Sequence, residues 1–556
     1  MTLGFLVVVV APGCLPAQGA RLSIPVQASV RVVSSVDEIN ALPESTAAIE
    51  LVGGTSKEFA ALGRLRNVRW LGLRRPIDFS DVECAVLSDL PLLERLDLIS
   101  VPPLPDSKRL APLTQCPRLK ALNILGSGIS ADEVVQFSAK SKVLRELSCP
   151  SAIFDEEAAC ALREKASITQ LTLSGNILPQ KLSMLASLST LTDLRLSGRL
   201  SQFAGKDALA VLAGLTELQH LELPQRLRCN EIALEWLQEL PRLRELEVNS
   251  STGLGAALGT LAGSLASLES LSIYNCEIDQ VFFDQLARSS TITSLSIRNS
   301  SSVGFPPTSA TSVPEDAWLV ELSALATVQT LWLDECQNVT DVGLQALRRL
   351  ESLSSLTLNG CVKCGDIAIA CIGELEGLVS LRLSDVRLAS AEGFAPLAKL
   401  GKLETLSLRS CSCARLDVLT DNATWNLQSL VLDDCRLLTT RQYQFVERIT
   451  DLRELSLAGC SGLTTEVMRG LVKHLPDLAV LCVASTDVSD EGLTALRKAG
   501  KLKSLSLSYC RNLGCEKVLE VVAELPLTDL YVYGDLFSSD CVKKMQAVLP
   551  GCRIWE

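Results

Sequence analysis

Aliphatic residues recur along this chain in a six-position pattern, Leu-x-x-Leu-x-Leu, in which Ile, Val or once Cys replaces leucine. Successive copies begin about 23 to 27 residues apart, except for a gap of 36 residues between Ile292 and Val328. Apolar and polar positions alternate within each copy, which is the period of a strand with one buried face. Each copy therefore predicts one short strand. The 19 clear copies begin at Val68, Leu93, Leu119, Leu144, Ile168, Leu191, Leu218, Leu243, Leu268, Ile292, Val328, Leu353, Leu378, Leu403, Leu427, Leu452, Leu478, Leu502 and Leu527.

Each strand is followed by a segment with helical periodicity. In residues 340–347 (TDVGLQAL), a threonine in capping position precedes apolar residues at helical spacing, and residues 465–468 and 488–493 repeat the arrangement. Repeating strand–helix units of roughly 20 to 29 residues are typical of leucine-rich-repeat proteins. We therefore predict an α/β fold, a leucine-rich-repeat solenoid or horseshoe. Its parallel β-sheet forms the concave face, with helices or irregular segments on the convex face.

Length and composition agree with a repeat architecture. A solenoid core grows in one dimension, so 556 residues need not divide into separate globular domains. The hydrophobic fraction is 47% and the aromatic fraction only 4%, which indicates an aliphatic core at fixed spacing. The predicted segments are a leader over 1–36, an N-terminal cap with a degenerate repeat over 37–67, repeats over 68–299, a loop insertion over 300–316, cysteine-containing repeats over 317–535 and a C-terminal cap over 536–556.

Cysteine often occupies one fixed position of the repeat. Eight residues after each copy begins, these repeats need a small polar side chain that turns inward and hydrogen-bonds buried backbone. We expect Asn176 and Thr486 to take this position in two repeats, and cysteine in seven. The cysteines are Cys276, Cys336, Cys361, Cys411, Cys435, Cys460 and Cys510. The unit at residues 328–344 (VQTLWLDECQNVTDVGL) resembles the cysteine-containing leucine-rich repeat, best known from F-box substrate receptors of ubiquitin ligases.

The resemblance implies a protein partner bound on the concave face or at the terminal loops. F-box receptors also carry an N-terminal helical segment that docks an adaptor. Residues 1–67 contain no run of helical apolar spacing long enough for such a three-helix segment. A ligase role is therefore an alternative to a simpler interaction role.

The cysteines favour a reducing compartment. Ladder cysteines on adjacent strands pack as small apolar groups and need no disulfide, and Cys541 and Cys552 near the end are isolated in the sequence. Cys361 and Cys364 form a C-x-x-C pair, but the first belongs to the ladder and the chain has only two histidines. We predict neither a metal site nor a cofactor.

Charge and motifs exclude other function classes. A net charge of -12 opposes binding to a phosphate backbone, so we expect no nucleic-acid partner. One basic cluster is interpreted as solvated end-cap surface; it consists of Arg64, Arg66, Arg69, Arg74 and Arg75. No Gly-rich phosphate loop, histidine cluster or nucleophile beside a base is recognisable, so we predict that the protein is not an enzyme.

Two groups of side chains stand out among the polar positions that flank the strands. The acidic group is Asp334, Glu335, Asp385, Asp433 and Asp434. The aromatic group is Tyr274, Trp332, Tyr509, Tyr531 and Tyr533. Exposed aromatics on a rigid surface are enriched at interface hot spots, although scattered acids and aromatics also occur on ordinary surfaces. In the insertion, Phe305 beside two prolines is a further candidate contact, and a tolerated surface loop is the alternative.

The N-terminal residues leave the compartment open. Residues 3–11 are apolar but too short to span a bilayer, and small residues follow them as in a signal peptide without its basic start. The absence of acidic residues over 1–36 also fits an organelle transit segment. Glycosylation triplets occur at Asn249, Asn299, Asn338 and Asn422. We expect an intracellular, cytoplasmic protein without a membrane span, with secreted or organellar placement as the alternative.

Together these features favour a monomeric, non-enzymatic scaffold that binds a protein partner on the concave face or at the 300–316 insertion. The first alternative is a substrate-recognition subunit of an SCF-type ubiquitin ligase. The second is a secreted or surface recognition receptor.

Overall fold

Strands and helices alternate along the whole of the described chain. The computed structural model describes residues 30–556 except 104–107, 166–167, 202–204, 229–231, 252–254, 277, 299–313, 391, 412–415, 420–424, 437, 439, 535–536 and 550. Tertiary contacts divide these residues into an N-terminal unit up to residue 292 and a C-terminal unit from residue 293. Residues 1–29 of the predicted leader and Phe305 lie outside the described residues.

The N-terminal unit contains eleven described strands that pair in parallel in the order of the chain. They are β1 (Arg31–Val33), β2 (Ala48–Val52), β3 (Trp70–Arg74), β4 (Arg95–Ile99), β5 (Ala121–Asn123), β6 (Glu146–Pro150), β7 (Gln170–Ile177), β8 (Asp193–Leu200), β9 (His220–Glu222), β10 (Glu245–Asn249) and β11 (Ser270–Tyr274). The repeat register is kept across each pair, as Leu71 opposite Leu96 illustrates.

Helices connect these strands on the other side of the core. The α-helices are α1 (Val36–Ala41), α2 (Ser56–Leu62), α3 (Asp81–Ser88), α4 (Ala131–Lys140), α5 (Glu156–Lys165), α6 (Pro179–Leu185), α7 (Gly255–Ser264) and α8 (Gln280–Leu286). Short 3₁₀ helices replace them at Pro112–Gln115, Ser151–Ile153, Ala210–Gly214 and Glu235–Glu239. Several α-helices begin with a reciprocal capping box. In α3, the Ser80 hydroxyl and the Glu83 carboxylate each satisfy a backbone N–H of the first turn.

The C-terminal unit repeats the same plan with eleven described strands, again parallel and sequential. They are β12 (Ser294–Arg298), β13 (Thr330–Leu333), β14 (Ser355–Leu358), β15 (Ser380–Ser384), β16 (Thr405–Arg409), β17 (Ser429–Val431), β18 (Glu454–Ser456), β19 (Val480–Cys482), β20 (Ser504–Ser506), β21 (Asp529–Tyr531) and β22 (Arg553–Trp555).

Its helices are similarly short. The α-helices are α9 (Asp316–Leu322), α10 (Asp341–Ala346), α11 (Asp366–Ile372), α12 (Thr440–Glu447), α13 (Thr465–His474), α14 (Asp490–Leu493), α15 (Cys515–Val522) and α16 (Ser539–Val548). The 3₁₀ segments are Leu347–Arg349, Ala395–Lys399, Asp417–Leu419 and Thr494–Lys498. Among the described residues, no helix is both long enough and apolar enough to cross a lipid bilayer.

The leucines of the repeat form the core between strands and helices. In β13, Leu331 and Leu333 are each 1% exposed, whereas the alternating Thr330 and Trp332 are half-buried on the opposite face. Burial of one strand face in every repeat confirms the predicted fold class, an α/β leucine-rich-repeat solenoid. We call the opposite, partly exposed face of the strands the strand face.

One strand lies where the leucine pattern does not reach. Strand β1 pairs with β2, with Val33 opposite Leu51, although it contains no leucine. Val33 is 2% exposed, so a valine takes the place of the core leucine. Within the predicted leader over 1–36, residues 31–33 form β1 and Val36 begins α1.

The ladder cysteines turn inward and contact buried backbone, as the sequence predicts. The Cys435 and Cys460 thiols donate to the carbonyls of Leu408 and Leu432 in the preceding repeat, at 3.0 and 2.9 Å. In a further repeat the Thr486 hydroxyl donates to Val483 O at 2.6 Å. These contacts join one repeat to the next through otherwise buried acceptors.

The expectation for Asn176 is wrong. Its side chain is exposed, because β7 does not turn inward there but continues beside β8 as far as Ile177. Gly198 permits this long pairing, since a Cβ atom at that position would lie 1.9 Å from the carbonyl oxygen of Gly175. The inward turn that the ladder residue requires is absent from this repeat.

The prediction that Cys541 is isolated is also wrong. Cys541 in α16 forms a disulfide with Cys515 at the start of α15, with Cα atoms 6.1 Å apart. The two residues occupy neighbouring repeats, where successive helices pack side by side. Cys552 remains a half-buried thiol.

Candidate functional site

The candidate residues of the C-terminal unit lie in or just after their strands, at the fifth, seventh and eighth positions of the repeat. Trp332 and Tyr531 lie on the strand face within β13 and β21. Asp334, Asp433 and Tyr533 come where the strands end, and Glu335, Asp385, Asp434 and Tyr509 come one residue later. The structure therefore places all of them along the same edge of the strand face.

The last of these positions has a left-handed backbone. Glu335, Asp385, Asp434 and Tyr509 have φ angles of 58°, 63°, 56° and 59°. In three of these residues, Asp385, Asp434 and Tyr509, the turn brings the backbone N–H to a carbonyl of the next repeat, as from Asp434 to Ala458 at 2.7 Å. It also directs the following ladder residue into the core. Aspartate tolerates this conformation well, whereas a bulky residue rarely adopts it.

The acidic residues do not form a continuous acidic surface. Asp334, Asp385 and Asp433 follow β13, β15 and β17, so that one strand separates each from the next, a spacing of roughly 10 Å. Asn359 and Arg409 occupy the intervening positions, where Asn359 donates to Asp334 at 2.6 Å and Arg409 to Asp433 at 3.2 Å. Asp334 and Asp433 therefore join neighbouring repeats to each other.

Trp332 and Asp334 contact each other directly. The Trp332 indole donates to Asp334 Oδ1 at 2.7 Å, and the Arg298 guanidinium lies 3.8 Å from the centre of the Trp332 ring. Arg298 also lies 3.7 Å from Asp334 Oδ2. Tyr274, at the end of β11, is half-buried in the N-terminal unit. It therefore contributes to a different unit from the other candidate aromatics.

Four aromatic side chains come together at the last three strands, and we call them the C-terminal aromatic cluster. They are Tyr509, Tyr531, Tyr533 and Trp555. Tyr531 stacks on Trp555 with ring centres 5.8 Å apart. The Tyr509 ring covers Gly534, where an added Cβ would lie 2.8 Å from Tyr509 Cδ1, and its backbone N–H donates to Tyr533 O at 2.9 Å.

The cluster combines apolar rings with polar groups. Arg553 pairs with Asp529 at 2.7 Å and lies 5.9 Å from the Trp555 ring centre. Burial, reinforced by the Asp529 carboxylate, raises the pKa of Tyr531 to about 12, so its hydroxyl stays a neutral donor. Sequence reasoning missed Trp555. Trp555 lies two residues after Arg553 on β22. It is found only through the pairing of β22 with β21, which places Trp555 opposite Tyr531.

A second polar site lies on the strand face of β8, β9 and β10, and sequence reasoning missed it. Asp193, His220 and Glu245 form one row across the strands, and Arg195, Glu222 and Glu247 form the next. We call these six residues the strand-face charge cluster. Charged residues at the third and fifth positions of three consecutive repeats would have revealed it. The candidates chosen from sequence were acids near the strand ends instead.

The interior of the charge cluster is strongly buried. Glu222 is 3% exposed and accepts hydrogen bonds from Ser197 Oγ at 2.9 Å and Asn249 Nδ2 at 3.2 Å. Burial raises the pKa of Glu222, and the nearby Glu247 carboxylate adds to this effect. Arg195 forms two bonds of 3.0 Å to Asp193. The guanidinium of the cluster is thus engaged by its own neighbour.

The C-x-x-C pair is part of the core. Cys361 and Cys364 are buried, and Cys364 Sγ donates to Val339 O at 3.4 Å. The pKa of each thiol is raised, mainly by its thiol neighbours, Cys336 for Cys361 and Cys361 for Cys364, and by burial. Raised pKa values oppose thiolate chemistry. Within the described part of the chain, no group of three or more His, Cys, Asp or Glu side chains is arranged to hold a metal ion.

Known proteins resemble this chain in fold. No protein-family model matches it, and no curated protein sequence matches it. A leucine-rich-repeat protein of Leptospira interrogans is similar, with a TM-score of 0.41, 18% identity, and coverage of 76% of this chain and 97% of its own. TLR13, in complex with ssRNA13, has a TM-score of 0.44 and 17% identity over 91% and 81% of the two chains. Mouse RP105, in complex with MD-1, has a TM-score of 0.41 and 17% identity over 92% and 87%.

Proposed function

We propose that this protein is a non-enzymatic interaction scaffold that binds a protein partner through the C-terminal aromatic cluster on its strand face. Tyr509 carries the proposal. It is a bulky residue at a φ of 59°, and it is 41% exposed. The same left-handed turn recurs in other repeats, where it holds smaller residues such as Ser410 and Asp434, and a bulky side chain rarely adopts this conformation. An exposed tyrosine there, beside further aromatics, has the composition of an interface hot spot.

The surroundings of Tyr509 support a binding role. The stacked Tyr531 and Trp555 rings are half-buried, so each offers apolar area at a small cost in side-chain entropy. Arg553 and Asp529 pair beside them and provide a polar margin. Apolar rings surrounded by polar groups are typical of the centre of a protein interface. The predicted contact at Phe305 in the 300–316 insertion stays an additional proposal.

The test replaces Tyr509 without disturbing the turn. Asparagine adopts the left-handed conformation more readily than tyrosine, so Tyr509→Asn preserves or improves folding while removing the ring. Full-length tagged protein and the variant are used to capture partners from the native cells. We expect the enrichment of a reproducible partner to fall about tenfold or more, as for loss of one hot-spot side chain.

The matched control is Ser410→Asn, at the same turn of another repeat, where φ is 50° and the side chain is exposed. It should retain the partner. Equal capture by Tyr509→Asn and the unaltered protein would show that the partner binds elsewhere. Loss of capture by both variants would contradict a role for the aromatic cluster itself.

A secreted or surface recognition receptor is a second candidate, favoured by the disulfide between Cys515 and Cys541. Disulfides persist mainly in oxidising compartments. Mass spectrometry of the protein isolated from its native cells under thiol-blocking conditions tests this candidate. A disulfide-linked peptide pair together with a cleaved leader would support it, whereas free Cys515 and Cys541 thiols would support the intracellular scaffold. The ligase alternative gains no support from residues 31–62, which form β1, α1, β2 and α2 of the repeat fold.

A further inference from the structure

Charged side chains at the edge where the strands begin often pair with the neighbouring repeat. The pairs use two positions, one residue before and one residue after the first apolar position of the repeat. Each joins a basic and an acidic side chain at the same position on adjacent strands. The described pairs are Arg69 with Glu94, Arg242 with Glu217, Arg244 with Glu269 and Lys501 with Asp477.

The starts of β5 and β6 depart from this pairing. Lys120, just before β5, has its counterpart in the next repeat at Arg145, which is also basic. The Arg145 backbone N–H donates to Lys120 O at 2.7 Å, so the two residues are direct neighbours. Arg118 lies two residues before Lys120, Lys140 is the last residue of α4, and Lys142 lies in the loop between α4 and β6. We call Arg118, Lys120, Lys140 and Lys142 the basic edge.

The positive charge of the basic edge is not paired. All four of its side chains are exposed, and none has an ion-pair partner among the described residues. Glu94, the nearest acid at the position of Lys120, is held by Arg69 at 3.3 Å. Arg145 interacts within the chain and is not part of the basic edge, but its charge lies beside Lys120. Like charges at opposed positions of adjacent strands are unfavourable, so an anion at this edge relieves a repulsion.

We propose that the basic edge binds an acidic segment of a protein partner, with several Asp or Glu side chains close together in sequence. Adjacent strands lie roughly 4.8 Å apart, so Lys120 and Lys142 can contact neighbouring carboxylates of one segment. Each contact is a charge-assisted hydrogen bond between a cationic donor and a carboxylate. Complementary charge of this kind also guides the encounter of two proteins.

The short extent of the basic edge favours a protein segment over a nucleic acid. At the position of Lys120, Glu94 precedes it, and Thr169 and Thr192 follow in the repeats of β7 and β8. The run of basic residues at this position therefore ends within two repeats. A nucleic-acid strand continues with a charge about every 3.4 Å, and the net charge of -12 repels a long polyanion. The inference rests on the proposed interaction role only in assigning the carboxylates to a protein.

The test measures binding of a fluorescent octaglutamate peptide to the full-length protein by fluorescence anisotropy. We expect binding at low ionic strength that weakens as salt is added, because salt screens exposed charges. A serine–glycine peptide of the same length should not bind. Two double variants should each weaken binding about fivefold or more, as for loss of two exposed ion pairs. They are Lys140→Gln with Lys142→Gln, and Arg118→Gln with Lys120→Gln.

A matched control comes from another repeat. Lys399 is the last residue of a 3₁₀ helix and Lys402 lies in the loop before β16, as Lys140 and Lys142 do before β6, and both are exposed. Lys399→Gln with Lys402→Gln should bind the peptide like the unaltered protein. Lys140→Arg with Lys142→Arg keeps both charges and should retain binding. Unfolding midpoints measured in parallel show whether each variant is folded.

Four results would overturn the inference. Unchanged affinity in the folded basic-edge variants, or equal weakening by the control pair, would show that the peptide binds elsewhere. Tighter binding of a single-stranded octanucleotide at the same edge would assign it to nucleic acid. A salt-sensitive dimer of the protein alone that the basic-edge changes abolish would assign it to a second copy. Tyr509→Asn should bind the peptide normally, so failure at the basic edge and failure at the aromatic cluster are separate results.

Discussion

Single ion pairs differ widely in their energetic importance according to burial. Arg109 and Glu133 are each 1% exposed at the side chain, and their guanidinium and carboxylate form two bonds of 3.0 and 3.1 Å. Arg109 also donates to the carbonyls of Pro102 and Gly128 at 2.8 and 3.0 Å. This side chain therefore joins α4 to the loops that follow β4 and β5.

Removing one partner of this pair should be strongly destabilising. We expect Arg109→Met to lower the free energy of unfolding by about 3 to 5 kcal/mol, because Glu133 would remain buried without its partner. Arg242→Met is the matched control, since Arg242 is 58% exposed and pairs with an exposed Glu217. That change should cost less than about 1 kcal/mol. Urea denaturation measures both, and similar losses would contradict the argument from burial.

Glu222 should make stability depend on pH. Its pKa in the folded protein is raised above the usual 4.5, mainly by burial. As pH rises through the window from that value to the folded pKa, the unfolded chain loses a proton that the folded chain retains. The free energy of unfolding therefore falls across this window, and the loss persists at higher pH.

Glu222→Gln should remove this contribution. The variant should lose less stability than the unaltered protein as pH rises from about 4.5 towards neutrality. Denaturant unfolding at several pH values measures the difference. Glu217→Gln, which removes an exposed carboxylate of the same unit, controls for the loss of one negative charge. Parallel pH profiles for Glu222→Gln and the unaltered protein would disprove the assignment.

At the scale of elements, aspartates at helix starts connect one repeat to the next. Asp341, the first residue of α10, accepts hydrogen bonds through Oδ1 from the N–H groups of Gly365 and Ala368, at 2.8 and 3.1 Å. Asp316 and Asp366 make corresponding bonds from α9 and α11 to the repeat after each. The carboxylates of Asp316 and Asp341 thus accept from N–H groups at the starts of α10 and α11.

Loss of one such carboxylate should weaken the junction between two repeats. We expect Asp341→Ala to lower the free energy of unfolding by about 1 to 2 kcal/mol, in the range of a lost helix cap. Asp341→Asn keeps an oxygen acceptor at the same place and should lose less. Urea denaturation of both variants measures the effect. If the alanine and asparagine variants unfold together with the unaltered protein, the junction does not depend on this side chain.

On the scale of the whole molecule, every repeat is stabilised mainly by its immediate neighbours, as in other solenoids. The disulfide between Cys515 and Cys541 joins α15 to α16, the last two helices. It closes a loop with a sequence separation of 26 residues. We therefore expect it to restrain opening of the repeats that contain α15 and α16.

Reduction of this bond should destabilise the final repeats by about 3 kcal/mol, the usual effect of opening a loop of this size. Hydrogen exchange measured with and without reductant should show faster exchange over residues 515–556, with little change over residues 30–292. The double variant Cys515→Ser with Cys541→Ser should exchange quickly in both conditions. Exchange that is insensitive to reductant in the unaltered protein would show that the bond does not restrain this end.

Much of the fold follows from the sequence, because each repeat repeats one local pattern. The leucine period predicted all strands from β3 to β21, since burial of one strand face requires apolar residues at those positions. The inward direction of the ladder cysteines followed from the same period. Strand β1 escaped notice because valine replaces leucine in its core position, and Asn176 because β7 continues straight where other repeats turn.

The candidate site was only partly predictable. Tyr509, Tyr531 and Tyr533 were found as aromatics near strands, but the sequence did not reveal that they meet Trp555 or that Tyr509 is left-handed. The sequence does not distinguish among the acids near the strand ends as candidate contacts. In the structure, Asp334 and Asp433 accept hydrogen bonds from side chains of neighbouring repeats. Such contacts depend on rotamers and on the register between strands.

By itself, therefore, the sequence determined the repeat, its length, the buried face of each strand and the ladder position, because these depend on periodicity along one chain. Only the tertiary structure decided which side chains meet across repeats. It brought Cys515 to Cys541, six charged residues into one cluster and four aromatic rings to the last strands. The members that come from neighbouring repeats are separated by one repeat length in the chain, and parallel stacking at roughly 4.8 Å per strand makes them neighbours.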